Sequence, residues 1–313
     1  MPEIRPTRPE DLPALSALFA DRFGHGLTAE EWQWKYRQIP GEGRSLVAVD
    51  PEAPGLVLAH AGALALPARW PGNRGGEGRI WQLVDFAGTT RRRGLRAALV
   101  DLGRELLADL PGEGDAPWIY GFPSERHFRL GEKVFSYHPL TTIEPQAGEL
   151  PDRLDGTARI EIGDSCGDWA EAVWERCGGL GVRRSSAFLN WRYYARPQRY
   201  YRFYRMFSER NDGREALLVF AFVGEEALAA EVWLPGESEG WYPSMLAVAA
   251  DLRAAGFRSW RFWPGPGLDP MLAARLGLRS TGESQFVGCR GRHSDPALAA
   301  AGFPYSMGDY DLV

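Results

Sequence analysis

The chain repeats itself, and the repeat limits the architectures open to it. Trp34-Lys35-Tyr36 followed by Pro40 returns as Trp191-Arg192-Tyr193 followed by Pro197, 157 positions later. Asp11-Leu12 and Asp168-Trp169, each opening a helical pattern, share that offset, which is half of the 313 residues. Such a period implies two copies of one plan, each long enough for its own core. Arg129-Leu130-Gly131 and Arg275-Leu276-Gly277 recur at a shorter offset of 146, so eleven residues are missing from the second copy. The gap is expected near the turn into the central helix. Each Trp-basic-Tyr unit is followed by two apolar strand-like runs, Leu46–Val49 and Leu56–Leu66, then Ala216–Val223 and Leu228–Leu234. The divisions expected are a first domain at 1–145, a polar linker at 146–157 containing Gly148 and Pro151, and a second domain at 158–313.

The most informative stretch runs from Ile80 to Leu107. An apolar run through Ala87 reads as a central strand, Gly88-Thr89-Thr90 as a turn, and Arg91-Arg92-Arg93-Gly94-Leu95-Arg96 as a loop entering a helix. Leu95, Ala98, Leu99, Leu102 and Leu106 fall on one helical face. Glycine at a helix start lets backbone approach a ligand, and the free N–H groups there attract phosphate. With four arginines nearby, the turn reads as an anion cradle. The second copy offers Trp241-Tyr242-Pro243-Ser244-Met245 at the same place, with neither glycine nor arginine. The first copy therefore keeps the ligand loop and the second has lost it.

The loop resembles the acyl-CoA-binding motif of the GNAT acyltransferase superfamily: glutamine or arginine, two variable residues, glycine, one variable residue, then glycine or alanine. Arg91, Gly94 and Arg96 take those places, and Ala98-Leu99 follow at the family's spacing. Arg96 stands where a small residue is usual, and the loop is shorter than the common one. The order of elements in the first half is also the GNAT order. The resemblance implies an α/β fold with a mixed sheet, two GNAT-like domains in tandem with the second degenerate. It implies acetyl-CoA or another acyl-CoA as co-substrate, held between the strands Ile80–Ala87 and Trp118–Gly121. Leu83, Val84, Phe86 and Ala87 would pair with the pantetheine arm, and Arg91, Arg92, Arg93, Gly94, Leu95 and Arg96 would hold the phosphates.

The same resemblance implies N-acyl transfer, most simply acetyl transfer, by direct attack of a neutral amine on the thioester. The acceptor would be a small-molecule or peptide amine. Asp85 is the candidate base: strand alternation places it with Trp81, Leu83 and Ala87, an apolar setting that would raise a carboxylate pKa. The family's proton donor is a tyrosine four residues before the glycine closing the late helix. His127 takes that position ahead of Gly131, and histidine can exchange protons near neutral pH. Tyr120 and Tyr137 flank the same opening as further candidates. Trp32, Trp34 and Tyr36 form a helical aromatic stripe, ordinarily core. In this family the second helix lines the acceptor site, so they are the candidate substrate contacts.

A net charge of −5 argues against a general nucleic-acid binder. Cys166, Cys177 and Cys289 are an odd set without metal spacing, and the first residues lack the blocks of a signal peptide. A cytoplasmic protein without metal or membrane partner is expected, and a homodimer is compatible with it. Gly163-Asp164-Ser165-Cys166-Gly167 matches a nucleophile-elbow pattern, with Asp269 and His293 in triad order, but the repeat already explains this stretch as the turn into a helix. Arg183 to Arg205 holds seven arginines among aromatics and no acids. Arginine among aromatics can bind single-stranded nucleic acid, the alternation from Tyr201 to Phe207 suits an ordinary strand, and the stretch could also grip an anionic acceptor or the CoA phosphates. Two alternatives remain at this point: a non-catalytic CoA-binding or interaction module, motivated by Arg96 and the short loop, and a Fem-like aminoacyl transferase fed by aminoacyl-tRNA, motivated by the basic aromatic stretch.

Overall fold

The computed structural model describes residues 2–53, 55–69, 78–89, 95–111, 118–151, 158–265, 268–291 and 305–310, with Leu95 and Arg96 described in backbone alone. The first half runs β1 (Glu3–Pro6), α1 (Leu12–Phe23), α2 (Ala29–Arg37), β2 (Glu42–Val49), β3 (Val57–Arg69), β4 (Gly78–Gly88), α3 (Leu95–Asp109), β5 (Ile119–Gly121), α4 (Glu125–Phe135) and β6 (His138–Ile143). Then come β7 (Gln146–Glu149), β8 (Ile160–Gly163), α5 (Trp169–Arg176), β9 (Gly181–Val182), α6 (Ser186–Leu189) and a π-type turn at Asn190–Tyr194. The chain continues through β10 (Tyr201–Ser208), β11 (Arg214–Val223), β12 (Glu226–Trp233), α7 (Tyr242–Ala254), β13 (Ser259–Phe262), α8 (Pro270–Arg275), β14 (Arg279–Ser280) and β15 (Gln285–Arg290).

The chain divides into two compact units. The first holds residues 1–67, 78–141 and 286–297; the second holds 68–77, 142–285 and 298–313. In the first, the strands lie in the order β1-β2-β3-β4-β5-β15-β6; in the second, β8-β10-β11-β12-β13-β7-β14. The two sheets have the same plan, but each takes its sixth strand from the other half of the sequence. β15 lies antiparallel to β5, with Gly288, Cys289 and Arg290 opposite Gly121, Tyr120 and Ile119. β7 lies antiparallel to β13, with Gln146 opposite Phe262 and Glu149 opposite Ser259. The expected linker at 146–157 is therefore a strand over its first four residues, and the expected second domain at 158–313 gives β15 to the first sheet. A short run bounded by glycine and proline reads as a loop, yet its backbone groups find partners in a sheet.

The repeat also changes register at a different place from the one expected. The connection between β11 and β12 is a two-residue turn, Gly224-Glu225, with Gly224 at φ 57°. Between β3 and β4 the connection runs from 70 to 77. The eleven-residue difference thus falls in this hairpin, six residues in the connection and the rest in its longer arms, and not beside the loop into α3. Leu228–Leu234, matched in sequence to Leu56–Leu66, is the counterpart of the central strand β4.

In the first unit, Leu102, Leu106 and Leu107 of α3, with Leu110 just past its end, join Ala59, Ala61, Ala63, Ala65 and Trp81 in one core cluster. Alternate alanines on one face of β3 leave room for the leucines, each contributing roughly 1.5–3 kcal/mol by burial. On the opposite face Phe19 of α1 and Tyr36 of α2 meet His60 of β3 at ring distances of 5.5 and 5.9 Å. The helix α4 passes through Gly131 and ends at Ser136, which is left-handed with φ 55°. Gly131 does not close the helix as the sequence suggests. A Cβ there would stand 2.8 Å from the Tyr137 ring, so its role is to admit that ring.

Candidate active site

At the C-terminal end of β4 the first unit opens a cavity of about 730 Å³. That lies within the ~300–1,000 Å³ common for small-molecule sites. Its walls are Phe86, Ala87, Gly88 and Thr89 of β4 and its end, Leu99 of α3, Arg22 and Phe23 of α1, and Glu125, Arg126, His127, Arg129, Leu130 and Lys133 of α4. The opening has a cause in the sheet. Among the described residues, parallel β4 and β5 pair over Trp81–Leu83 and Ile119–Gly121, and Pro123 follows soon after β5. Proline cannot donate to a ladder, so β5 stops while β4 runs on to Gly88.

A bulge bends β4 at the same point. Asp85 is left-handed, with φ 55°, a conformation that aspartate accepts more readily than most residues. The bulge puts Phe86 on the core side with Trp81 and Leu83, where it meets Phe135 edge-on at 6.0 Å. Gly103 of α3 makes space for both rings: a Cβ there would lie 2.9 Å from Phe86 and 2.5 Å from Phe135. Asp85 itself turns to α2. Its carboxylate accepts from the Lys35 ammonium at 3.0 and 3.1 Å and from the Tyr36 hydroxyl at 2.5 Å. Both side chains of the Lys35–Asp85 pair are only 8% exposed. The Asp85 carbonyl accepts from Nδ1 of His60 at 2.8 Å.

His60 is fully buried, and that burial, aided by the nearby Lys35 charge, pushes its pKa down to about 4 against the hydrogen bond to Asp85. It is neutral at pH 7, with the proton on Nδ1 as the carbonyl contact requires. Nε2 then accepts from the Ser45 hydroxyl at 2.9 Å, and Ser45 oxygen lies 2.7 Å from Thr7 Oγ1 and accepts from Trp32 Nε1 at 3.1 Å. A chain of satisfied polar groups thus runs from β1 to the bulge.

The rim of the cavity is cationic. Among the described residues, Arg22, Arg126, Arg129 and Lys133 stand with one carboxylate, Glu125, which is held by Arg129 at 2.5 Å. His127 is half-buried among them; burial first, then the Arg126 and Arg22 charges, lower its pKa. It too is neutral at pH 7. Apolar walls from Phe23, Phe86, Leu99 and Leu130 with a cationic rim suit an anionic ligand carrying a long, weakly polar arm.

No family model matches the chain, and no curated protein matches it. Solved structures do. A GCN5-related N-acetyltransferase from Anabaena variabilis ATCC 29413 superposes with a TM-score of 0.66 at 12% identity, over 93% of this chain and 72% of that one. A tandem GNAT protein from the clavulanic acid biosynthesis pathway gives 0.57 at 14%, over 93% and 98%. The fold is that of the tandem GNAT proteins. Eis1 from Mycobacterium abscessus shares it at 0.57 and 18% identity, over 95% of this chain and 76% of that one.

Within the GNAT fold of the first unit, the residues singled out from sequence separate into groups. Phe86, Ala87 and His127 line the cavity. Leu83 packs with the core beneath α3, and Val84 is buried. Arg91, Arg92, Arg93 and Gly94 lie outside the described residues, as do the side chains of Leu95 and Arg96. Asp85 does not share the face of Trp81 and Leu83, because its left-handed φ breaks the alternation, and an ammonium and a phenol replace the apolar setting expected. Tyr137 is buried in the core against Phe135. Its hydroxyl has no hydrogen-bond partner among the described residues, burial raises its pKa, and it does not line the cavity. Trp32, Trp34 and Tyr36 are core residues at 2–3% exposure.

The sequence reading missed Lys35 as the partner of Asp85, His60 as the buried tie, and the cations of α4. Arg126, Arg129 and Lys133 at helical spacing were a legible stripe; the Lys35–Asp85 pair, fifty positions apart, was not. Most arginines of the basic aromatic stretch are engaged within the second unit, while Arg199, Tyr194 and Tyr200 stay exposed. Arg183 pairs with Glu171, Arg202 with Asp251, and Arg205 with Glu161 and Glu215, while Arg184, Arg192 and Arg196 are buried. Asp269, the supposed triad acid, caps α8 by accepting from Leu272 N at 2.9 Å, and His293 lies outside the described residues.

Proposed function

We propose that this protein is an acyl-CoA-dependent N-acyltransferase, most simply an N-acetyltransferase, whose first unit carries the site. The observation that carries this reading is the cation-rimmed cavity at the place where β4 leaves β5. Arg22, Arg126 and Lys133 are set to hold phosphate oxygens, and Phe86, Leu99 and Leu130 to flank the pantetheine arm. Backbone of β4 beyond Leu83, past its register with β5, runs along the cavity wall and is set to orient the thioester.

The chemistry is direct attack in a ternary complex. The amine nitrogen forms a bond to the acyl carbon, the carbon–sulfur bond breaks, one proton leaves the nitrogen and one arrives at sulfur. His127 stands in the cavity as a neutral imidazole, so its protonation state at pH 7 suits taking the amine proton first and returning it to the thiolate afterwards. That refines the donor role expected from its sequence position. The acceptor is a small-molecule or peptide amine.

Calorimetric titration with acetyl-CoA tests the reading. Wild-type protein is expected to bind, and Arg126→Glu, Lys133→Glu and Gly94→Trp each to weaken binding at least about tenfold, the first two by turning attraction into repulsion and the third by placing a ring where backbone must approach the phosphates. Binding unchanged in all three variants refutes the assignment. A non-catalytic CoA-binding module is the second reading; thiol release across an amine panel separates it from the enzyme. The aminoacyl-tRNA alternative has less support, because six of the seven arginines that suggested it are paired or buried within the second unit, and failure to bind tRNA would dismiss it.

A further inference from the structure

The two halves carry the same clamp on the same strand. In the first, the Tyr36 hydroxyl donates to Asp85 at 2.5 Å; in the second, the Tyr193 hydroxyl donates to Glu231 at 2.6 Å. Asp85 and Glu231 occupy matching positions 146 residues apart. Core-facing Trp81, Leu83 and Phe86 correspond at that offset to Ala227, Ala229 and Val232. The ladder of β12 also breaks there: Glu231 lies opposite Val219 and Ala229 opposite Phe220, so Ala230 is the extra residue of a bulge. A cation meets each carboxylate at 3.0 Å, Lys35 in one unit and Arg184 in the other. Glu231 has no solvent exposure and so touches no substrate. A feature kept in the copy that lost the ligand loop serves the strand.

We infer that Asp85 is a positioning residue: locked between Lys35 and Tyr36, it holds the left-handed bulge that presents Phe86 and Ala87 to the cavity, and it is not the base that takes the amine proton. The inference rests on the acyl-CoA reading above. Three observations agree with it. Asp85 does not line the cavity, whereas the four residues after it do. Its side chain and its backbone are both committed, the carboxylate to α2 and the carbonyl to His60. To accept a proton it would have to give up its charge against a buried ammonium 3.0 Å away.

The test compares Tyr36→Phe, the double variant Lys35→Met with Asp85→Asn, and Tyr193→Phe as a control in the second unit. The double variant removes both charges together, and asparagine tolerates the left-handed backbone. The acetyl-CoA dissociation constant is expected to rise about fivefold or more in Tyr36→Phe and the double variant, with kcat on the best amine of a panel within about threefold and the acid limb of the pH profile retained. Tyr193→Phe leaves acetyl-CoA affinity unchanged. A fall in kcat beyond about a hundredfold with loss of the acid limb, at unchanged affinity, makes Asp85 the base and overturns the inference. Should wild-type protein fail to bind acetyl-CoA, the functional reading falls alone, and hydrogen exchange at amides 84–89 decides the positioning role. Faster exchange in both first-unit variants supports it; unchanged exchange overturns it.

Discussion

Lowering the pH should weaken the first unit through one residue, His60. Its side chain has no solvent exposure and lies between the rings of Phe19 and Tyr36. Burial outweighs the hydrogen bond to the Asp85 carbonyl and lowers its pKa from 6.5 to about 4. The unfolded chain therefore binds a proton at about pH 6.5 that the folded chain refuses until about pH 4. Above pH 6.5 the two states carry the same neutral imidazole and the residue contributes nothing to pH dependence. Below it, stability falls by up to about 1.4 kcal/mol per pH unit, reaching a loss of about 2.5 kcal/mol by pH 4.5. His60→Gln keeps a donor and an acceptor but does not titrate. Urea unfolding from pH 7.5 to 4.5, followed by hydrogen exchange in peptides of β3 and β4, reads the first unit. The wild type should lose about 2.5 kcal/mol more than the variant over that range. A difference that stays flat within about 0.5 kcal/mol would falsify the account, because carboxylates and His127 cancel between the two proteins.

Two further outcomes are expected. Arg184 has no solvent exposure and donates to Glu231 at 3.0 Å, Ser306 at 2.7 Å and Asp309 at 2.8 Å. Arg184→Met leaves two buried carboxylates without their cation and should cost about 3–5 kcal/mol. It should also release Tyr305–Tyr310 to limited proteolysis, and an unchanged melting temperature and cleavage pattern would count against the clamp. Residues 1–145 expressed alone lack β15, so β5 keeps an unpaired edge. Such a fragment should show no cooperative unfolding until residues 285–291 are fused to it, and a cooperative melt of the fragment by itself refutes the strand exchange.

Much of the helical framework was legible because its signals are local. Thr28 and Glu31 form the capping box that starts α2, and Ser124 caps α4. Ala98, Leu102 and Leu106 share the buried face of α3. The alternation of Tyr201–Phe207 marked a strand, and the structure makes it β10. The candidate site was legible only in part. Phe86 and Ala87 were found because they continue a strand toward a recognisable turn, and His127 because it stands at a fixed distance from Gly131. Asp85 was found but misplaced, since period-two reasoning assumes every residue keeps an extended backbone. One left-handed residue reverses the faces of all that follow it.

By itself the sequence determined that two copies of one plan exist, where their helices begin, and which faces those helices bury, because caps and periodicities act within a few turns of chain. Tertiary structure alone decided which sheet receives β7 and which receives β15: a short strand satisfies its backbone groups equally well on any open edge, and only the folded units offer one edge in preference to another. It also decided the surroundings of Asp85, whose partners Lys35, Tyr36 and His60 come from elements 25 to 50 positions away and meet only when α2, β3 and β4 have packed.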